Sequence, residues 1–165
     1  MTEPGFLQVR ALYLSTAHNF FGHHGQPPGT SPVVAVESIE CVAGAGIRGD
    51  RFFNYKPDYK GQITFFDWAV HQRLREEFPE AEFDPSVYRR NVLTEGMDLN
   101  ELIGREFSLG GLRFRGSEEC RPCYWMDQAC APGTEATMRG HGGLRARILS
   151  SGTLRLGART SAGAG

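Results

Sequence analysis

The sequence predicts a mainly β domain of the α+β kind, a closed β-barrel carrying a few short helices. Three observations predict it. Short strand-like runs recur between turn signals along most of the chain. Glycine (21) and proline (9) are abundant among the 165 residues, which favours turns over long helices. Only residues 67–78 carry a sustained helical period. Closing such strands into a barrel removes exposed edges.

Residues 6–14 (FLQVRALYL) alternate well enough for a first strand. Residues 33–42 (VVAVESIECV) read as a second, leading into a glycine-rich run that ends in Gly49, Asp50 and Arg51. Residues 61–66 form a short strand. The helix follows, with Val70, Leu74 and Phe78 on one face and Pro79 ending it. Trp68 reads as core, and His71 as a surface or packing residue. Residues 91–94 begin a strand. Asp98 and Glu101 fit a capping pattern for a short helix over 99–103. Gly110 and Gly111 join two strands, 106–109 and 112–115, in a hairpin. Pro132 and Gly133 open another short helix. Residues 144–149 and 153–156 read as a final hairpin. The expected organisation is one domain over residues 1–157, with a small, polar, disordered tail at 158–165.

The bulk chemistry excludes several classes. Hydrophobic content is 40% and charged content 22%, ordinary for a globular protein. A net charge of -1 gives no sign of a nucleic-acid or membrane surface. The N-terminus lacks the pattern of a secretory signal, and no apolar run reaches the length of a membrane span. A cytoplasmic protein with its four cysteines reduced is the expectation. Only Lys56 and Lys60 among the 18 basic residues are lysine; the rest are arginine, whose fork suits carboxylate and phosphate groups.

The stretch Glu119-Cys120-Arg121-Pro122-Cys123 draws the chemistry together. Thiolates are nucleophiles and soft ligands, and a neighbouring cation eases their formation. Upstream, Arg89 and Arg90 precede a strand, where they serve either as a solvated charge pair or as anion-binding forks. Asp50 and Arg51 read as a structural ion pair or a ligand clamp. The glycine-rich run is neither a Walker loop nor a dinucleotide fingerprint. His23 and His24 stand in a Gly/Pro loop and read as residues near a pocket rim.

Several motifs, in order, carry a family resemblance. They are Gly46-Ile47-Arg48-Gly49-Asp50-Arg51, Tyr88-Arg89-Arg90-Asn91, Glu95-Gly96-Met97-Asp98-Leu99, Glu119-Cys120-Arg121-Pro122-Cys123 and Gly143-Leu144-Arg145-Ala146-Arg147-Ile148-Leu149. Their order and spacing resemble the MOSC domain, the C-terminal domain family of molybdenum-cofactor sulfurases. The resemblance implies a β-barrel with a cysteine at the mouth of a pocket. It implies binding of the molybdenum cofactor (molybdopterin), with Cys123 as the family cysteine and molybdenum ligand. Arg89 and Asn91 match the Arg-x-Asn that holds the cofactor, Asp50 and Arg51 the Asp-Arg near the pterin phosphate, and Arg121 joins this set. Reducing relatives act on N-hydroxylated small molecules. The chain departs from the family in placing His23-His24-Gly25 ahead of the Gly-Asp-Arg segment.

Three functions compete. In the first, Cys123 ligates molybdenum in an oxidoreductase that takes electrons from a separate reductase. In the second, Cys123 carries sulfur received as persulfide from a cysteine desulfurase; the two lysines share one loop, so pyridoxal phosphate is not expected on this chain. In the third, Cys120, Cys123 and Cys130, with Cys41 or a histidine, hold structural zinc, or the C-x-x-C is redox-active.

Overall fold

The computed structural model describes residues 6–16, 33–121, 126–127 and 130–160. The protein is mainly β. Strands β1 (Leu7–Ser15), β2 (Val33–Val36), β5 (Ile63–Asp67), β6 (Val92–Gly96), β7 (Glu106–Leu109), β8 (Leu112–Glu119) and β9 (Leu144–Ile148) form one sheet in the order β2-β1-β6-β5-β9-β8-β7. Strands β3 (Ser38–Val42), β4 (Gly46–Ile47) and β10 (Gly152–Arg155) form a second, ordered β10-β3-β4. Neighbours are antiparallel except β5 and β6, which run parallel. Among the described residues both ladders stay open: β2 and β7 are edge strands, and the closed barrel is not seen as a closed ladder.

Alternation along the central strands gives the large sheet two buried faces. Leu7, Val9 and Leu12 of β1, Ile63 and Phe65 of β5, and Val92 of β6 enter a first core with Ile39, Cys41, Ile47 and Leu154 of the small sheet. Tyr13, Phe66 and Leu93 turn the other way into a second core with Val70 and Leu74 of helix α1 (Trp68–Glu77), Tyr88, and Met138 of helix α2 (Thr134–Met138). Asp67 caps α1, accepting from Ala69 N–H at 2.9 Å. His71 is buried in this second core, as a packing residue, with its Nδ1 2.8 Å from the Tyr88 hydroxyl. Residues 99–102 form a 3-10 turn rather than an α-helix, with Asp98 capping Asn100 N–H at 3.0 Å.

Three expectations need correction. Residues 33–42 are not one strand: the chain bends at Glu37 and passes from the large sheet to the small one. β9 and β10 are not a hairpin. β9 lies between β5 and β8, whereas β10 pairs with β3 in a register that sets Leu154 opposite Ile39. Residues 158–160, expected in a disordered tail, are bonded to the body: Ala158 and Thr160 bond the main chain of β1 at Val9 and Leu7, and the Arg159 carbonyl accepts from Gly110 N–H. Among the described residues, no helix is long and apolar enough to cross a membrane.

Candidate functional site

Three segments meet where β1 ends and β6 begins. The antiparallel register of β1 against β6 brings Tyr13 and Ser15 beside residues 89–91. The parallel register of β5 against β6 sets Thr64 beside Asn91. The tight turns after β4 then return Asp50 and Arg51 to the end of β1, where Arg51 N–H donates to the Ser15 carbonyl at 2.7 Å.

Asn91 is at the centre. Its side-chain oxygen accepts from the Thr64 N–H at 3.0 Å and the Thr64 hydroxyl at 3.1 Å. Its amide nitrogen donates to the Tyr13 carbonyl at 3.3 Å and to Asp50 Oδ1 at 3.1 Å. An asparagine amide offers two donor and two acceptor positions, so all four are filled by protein. Asp50 is buried as well. Oδ1 also accepts from Ser15 N–H at 3.2 Å, Oδ2 accepts from Phe52 N–H at 3.2 Å, and Arg51 Nη1 lies 3.6 Å from Oδ1.

Two guanidinium groups lie against this network. Arg89 follows the 3-10 turn Pro85–Tyr88 and takes a left-handed conformation, φ 57°, unusual for a residue with a side chain. Its carbonyl accepts from Arg51 Nη2 at 3.0 Å, and its own Nη2 donates to the Ser15 hydroxyl. Burial, then the like charge of Arg51, push Arg89 down to about 10, with Asp50 opposing. Burial likewise lowers Arg51, where Asp50 raises it and the charge of Arg90 lowers it. Desolvated cations held this close favour an anion between them.

A second group lies at the ends of β8 and β9. Thr64, Arg145 and Glu118 stand in register across β5, β9 and β8. Arg145 Nη1 pairs with Glu118 at 3.1 Å, and Lys60 reaches the same carboxylate oxygen at 2.9 Å. These two cations hold Glu118 below its ordinary value, the Lys60 hydrogen bond first. Cys120, just beyond β8, is 5% exposed. Its N–H donates to the Gly143 carbonyl at 2.8 Å. Arg90 donates to three carbonyls: Tyr88 at 2.8 Å, Gly142 at 3.0 Å and Cys120 at 3.4 Å. Carbonyls carry no net charge, so these bonds place the cation without cancelling it.

Asp50, Arg51, Arg89 and Asn91 are therefore together. Arg121 is exposed beside the buried Cys120. Cys123, His23 and His24 lie outside the described residues. Sequence reasoning missed Ser15 and Thr64, whose hydroxyls give no motif. It also missed that Arg90 and Arg145 flank Cys120; Arg145 stood in a quoted motif with no role attached. Cys41 belongs to the first core and Cys130 packs on the second. Among the described residues no three His, Cys, Asp or Glu side chains converge as a metal site, so the zinc set gains no support there.

The sequence profile of the MOSC domain matches residues 23–161. The chain belongs to the MOSC domain family. Solved structures show the same fold. The YuaD protein from Bacillus subtilis superposes with a TM-score of 0.71 at 18% identity, covering 96% of each chain. YiiM from Geobacillus stearothermophilus gives 0.66 at 13% identity, covering 93% of this chain and 74% of that one. YiiM from Escherichia coli gives 0.63 at 15%, covering 93% and 68%. No curated protein matches this MOSC chain in sequence.

Proposed function

We propose that this MOSC domain binds the molybdenum cofactor, with Cys123 as the thiolate ligand, and acts as an oxidoreductase on N-hydroxylated or similar small substrates. The observation that carries the reading is the desolvated pair Arg51 and Arg89, backed by Asp50. A phosphate-bearing, sulfur-rich anion fits such a cluster. The guanidinium forks match phosphate oxygens, and the carboxylate beside them, Asp50, already accepts from protein donors. When bound, the cofactor supplies redox chemistry at molybdenum, with electrons from a separate reductase. The chain's own residues bind and orient. Arg51 and Arg89 hold the anionic end, and Asn91 and Asp50 keep those two arginines in place.

The experiment is molybdenum and pterin content after anaerobic expression in a cofactor-competent host. Near-stoichiometric molybdenum is expected in the native chain, with clear loss in Cys123→Ser and Arg89→Gln. No molybdenum in the native chain, or full retention in Cys123→Ser, overturns the reading.

Sulfur carriage on Cys123, loaded by a cysteine desulfurase, is the second reading. It is favoured by the guanidinium groups around Cys120, three residues away in the chain. Cations stabilise the anionic sulfur species that such a carrier holds.

A further inference from the structure

Cys120 has surroundings unlike those of the other described cysteines. Cys41 lies in the first core, where burial and then the Glu40 charge push its thiol up to about 12. Cys130 packs on the second core, and burial followed by Asp127 pushes it up to about 11. Cys120 is also buried, but it follows Glu118 by two residues at the end of β8, diagonally across from Arg145 on β9. Strand residues two apart share a face, and such a diagonal lies within reach of an arginine. The register sets the Arg145 guanidinium beside the Cys120 side chain. Arg90 holds the Cys120 carbonyl at 3.4 Å, and the Gly143 carbonyl takes its N–H at 2.8 Å.

We propose that Cys120 is a second sulfur-accepting thiol, one that takes a sulfane sulfur from a small anionic persulfide or polysulfide and holds it against Arg145. The inference rests on the thiol-centred sulfur reading above and extends it to a residue which that reading leaves idle. Guanidinium neighbours stabilise an anionic product. They also attract an anionic reactant, an advantage that a neutral peroxide lacks. Burial restricts access to small reactants.

The step balances without an added oxidant. The Cys120 thiolate attacks the terminal sulfur of the polysulfide, and a new Sγ–S bond forms. The adjacent S–S bond breaks, and the shortened polysulfide leaves with the electron pair. The transferred sulfur keeps its oxidation state. Arg145 holds its proton throughout and serves as a positioning cation.

The test treats the full chain with sodium tetrasulfide under anaerobic conditions at neutral pH, removes excess reagent, traps with iodoacetamide and maps peptides by mass spectrometry. Cys123→Ser is expected to gain the mass of one sulfur at Cys120. Arg145→Gln should slow that loading about tenfold, as loss of a neighbouring positive charge predicts, and Arg145→Lys should restore most of it. No added sulfur at Cys120 in a folded Cys123→Ser chain, or an unchanged rate in Arg145→Gln, overturns the proposal. Cys120→Ser reports Cys123 alone. Loading of Cys123 there, with none on Cys120 in Cys123→Ser, defeats this inference and leaves the carrier reading standing; loading at neither thiol defeats both.

Discussion

The Asn91 amide donates to Asp50 Oδ1 at 3.1 Å and ties residues 41 positions apart into one buried network. The same amide bridges β1 and β5 through Tyr13 and Thr64. Asn91 therefore acts on any ligand through the arginines beside it. Removing it strands the Thr64 N–H, the Tyr13 carbonyl and part of the Asp50 carboxylate in the interior. Each orphaned group costs roughly 1–3 kcal/mol, so with three of them Asn91→Ala should lose at least about 3 kcal/mol of stability. The check is a urea unfolding curve in which the midpoint falls while the slope is unchanged. A loss under about 1 kcal/mol would show that water fills the gap and that the network is not structural.

Gly143 carries a second prediction. A Cβ there would sit 2.4 Å from the Phe65 carbonyl oxygen and 3.3 Å from Arg90 Nε, at φ 113°. The Phe65 carbonyl belongs to a central strand and cannot move aside cheaply. Gly143→Ala should destabilise the domain by about 3–5 kcal/mol, and it should disturb the Arg90 and Cys120 contacts. Gly140 is the control. It has φ 83° but nothing within 4 Å of its Cβ, so Gly140→Ala should cost only the left-handed backbone term, about 1–2 kcal/mol. Equal thermal midpoints for the two variants would refute the packing argument.

Local pattern made much of the fold legible. Alternation over residues 6–14 is β1, the helical period over 67–78 stopped by Pro79 is α1, and Gly110-Gly111 turns the β7–β8 hairpin. Pairing partners were less legible, because periodicity reports a buried face and not the strand beside it. Ser150, Ser151 and Gly152 have hairpin composition, yet Leu154 is fully buried opposite Ile39, so β10 joins the small sheet. The bend at Glu37 has no glycine or proline to announce it. At the site, the motifs brought Asp50, Arg51, Arg89 and Asn91 forward. They did not show that the Asn91 amide is filled by Thr64, 27 residues earlier, since a threonine inside an apolar strand looks like any β-branched residue.

Thiol environment gives a third prediction. With Cys41 near 12 and Cys130 near 11, both are almost wholly protonated at neutral pH. Iodoacetamide applied to the native chain at about pH 7.5 should leave both unmodified for hours, whereas both react once urea unfolds the protein. Peptide mapping by mass spectrometry reads each site separately. Rapid native labelling of Cys41 would contradict its place in the first core.

His71 yields a pH dependence with a definite sign. Burial, and then the Arg75 charge, lower its folded value, with Asp84 opposing. Between the folded and unfolded values the unfolded chain binds more protons, so stability rises with pH. The contribution is complete above the unfolded value, near 6.5, and declines as pH falls from there toward the folded value. Asp67 works in the opposite sense: burial raises it, so protonation favours its folded form. Comparing the native chain with His71→Gln separates the two. Glutamine keeps a polar partner for the Tyr88 hydroxyl but does not titrate. Urea midpoints measured from about pH 7.5 to about pH 5 should fall more steeply for the native chain than for the variant. Parallel curves would mean that His71 takes up a proton inside the folded core, which would displace its 2.8 Å contact with Tyr88 from the account of α1 packing.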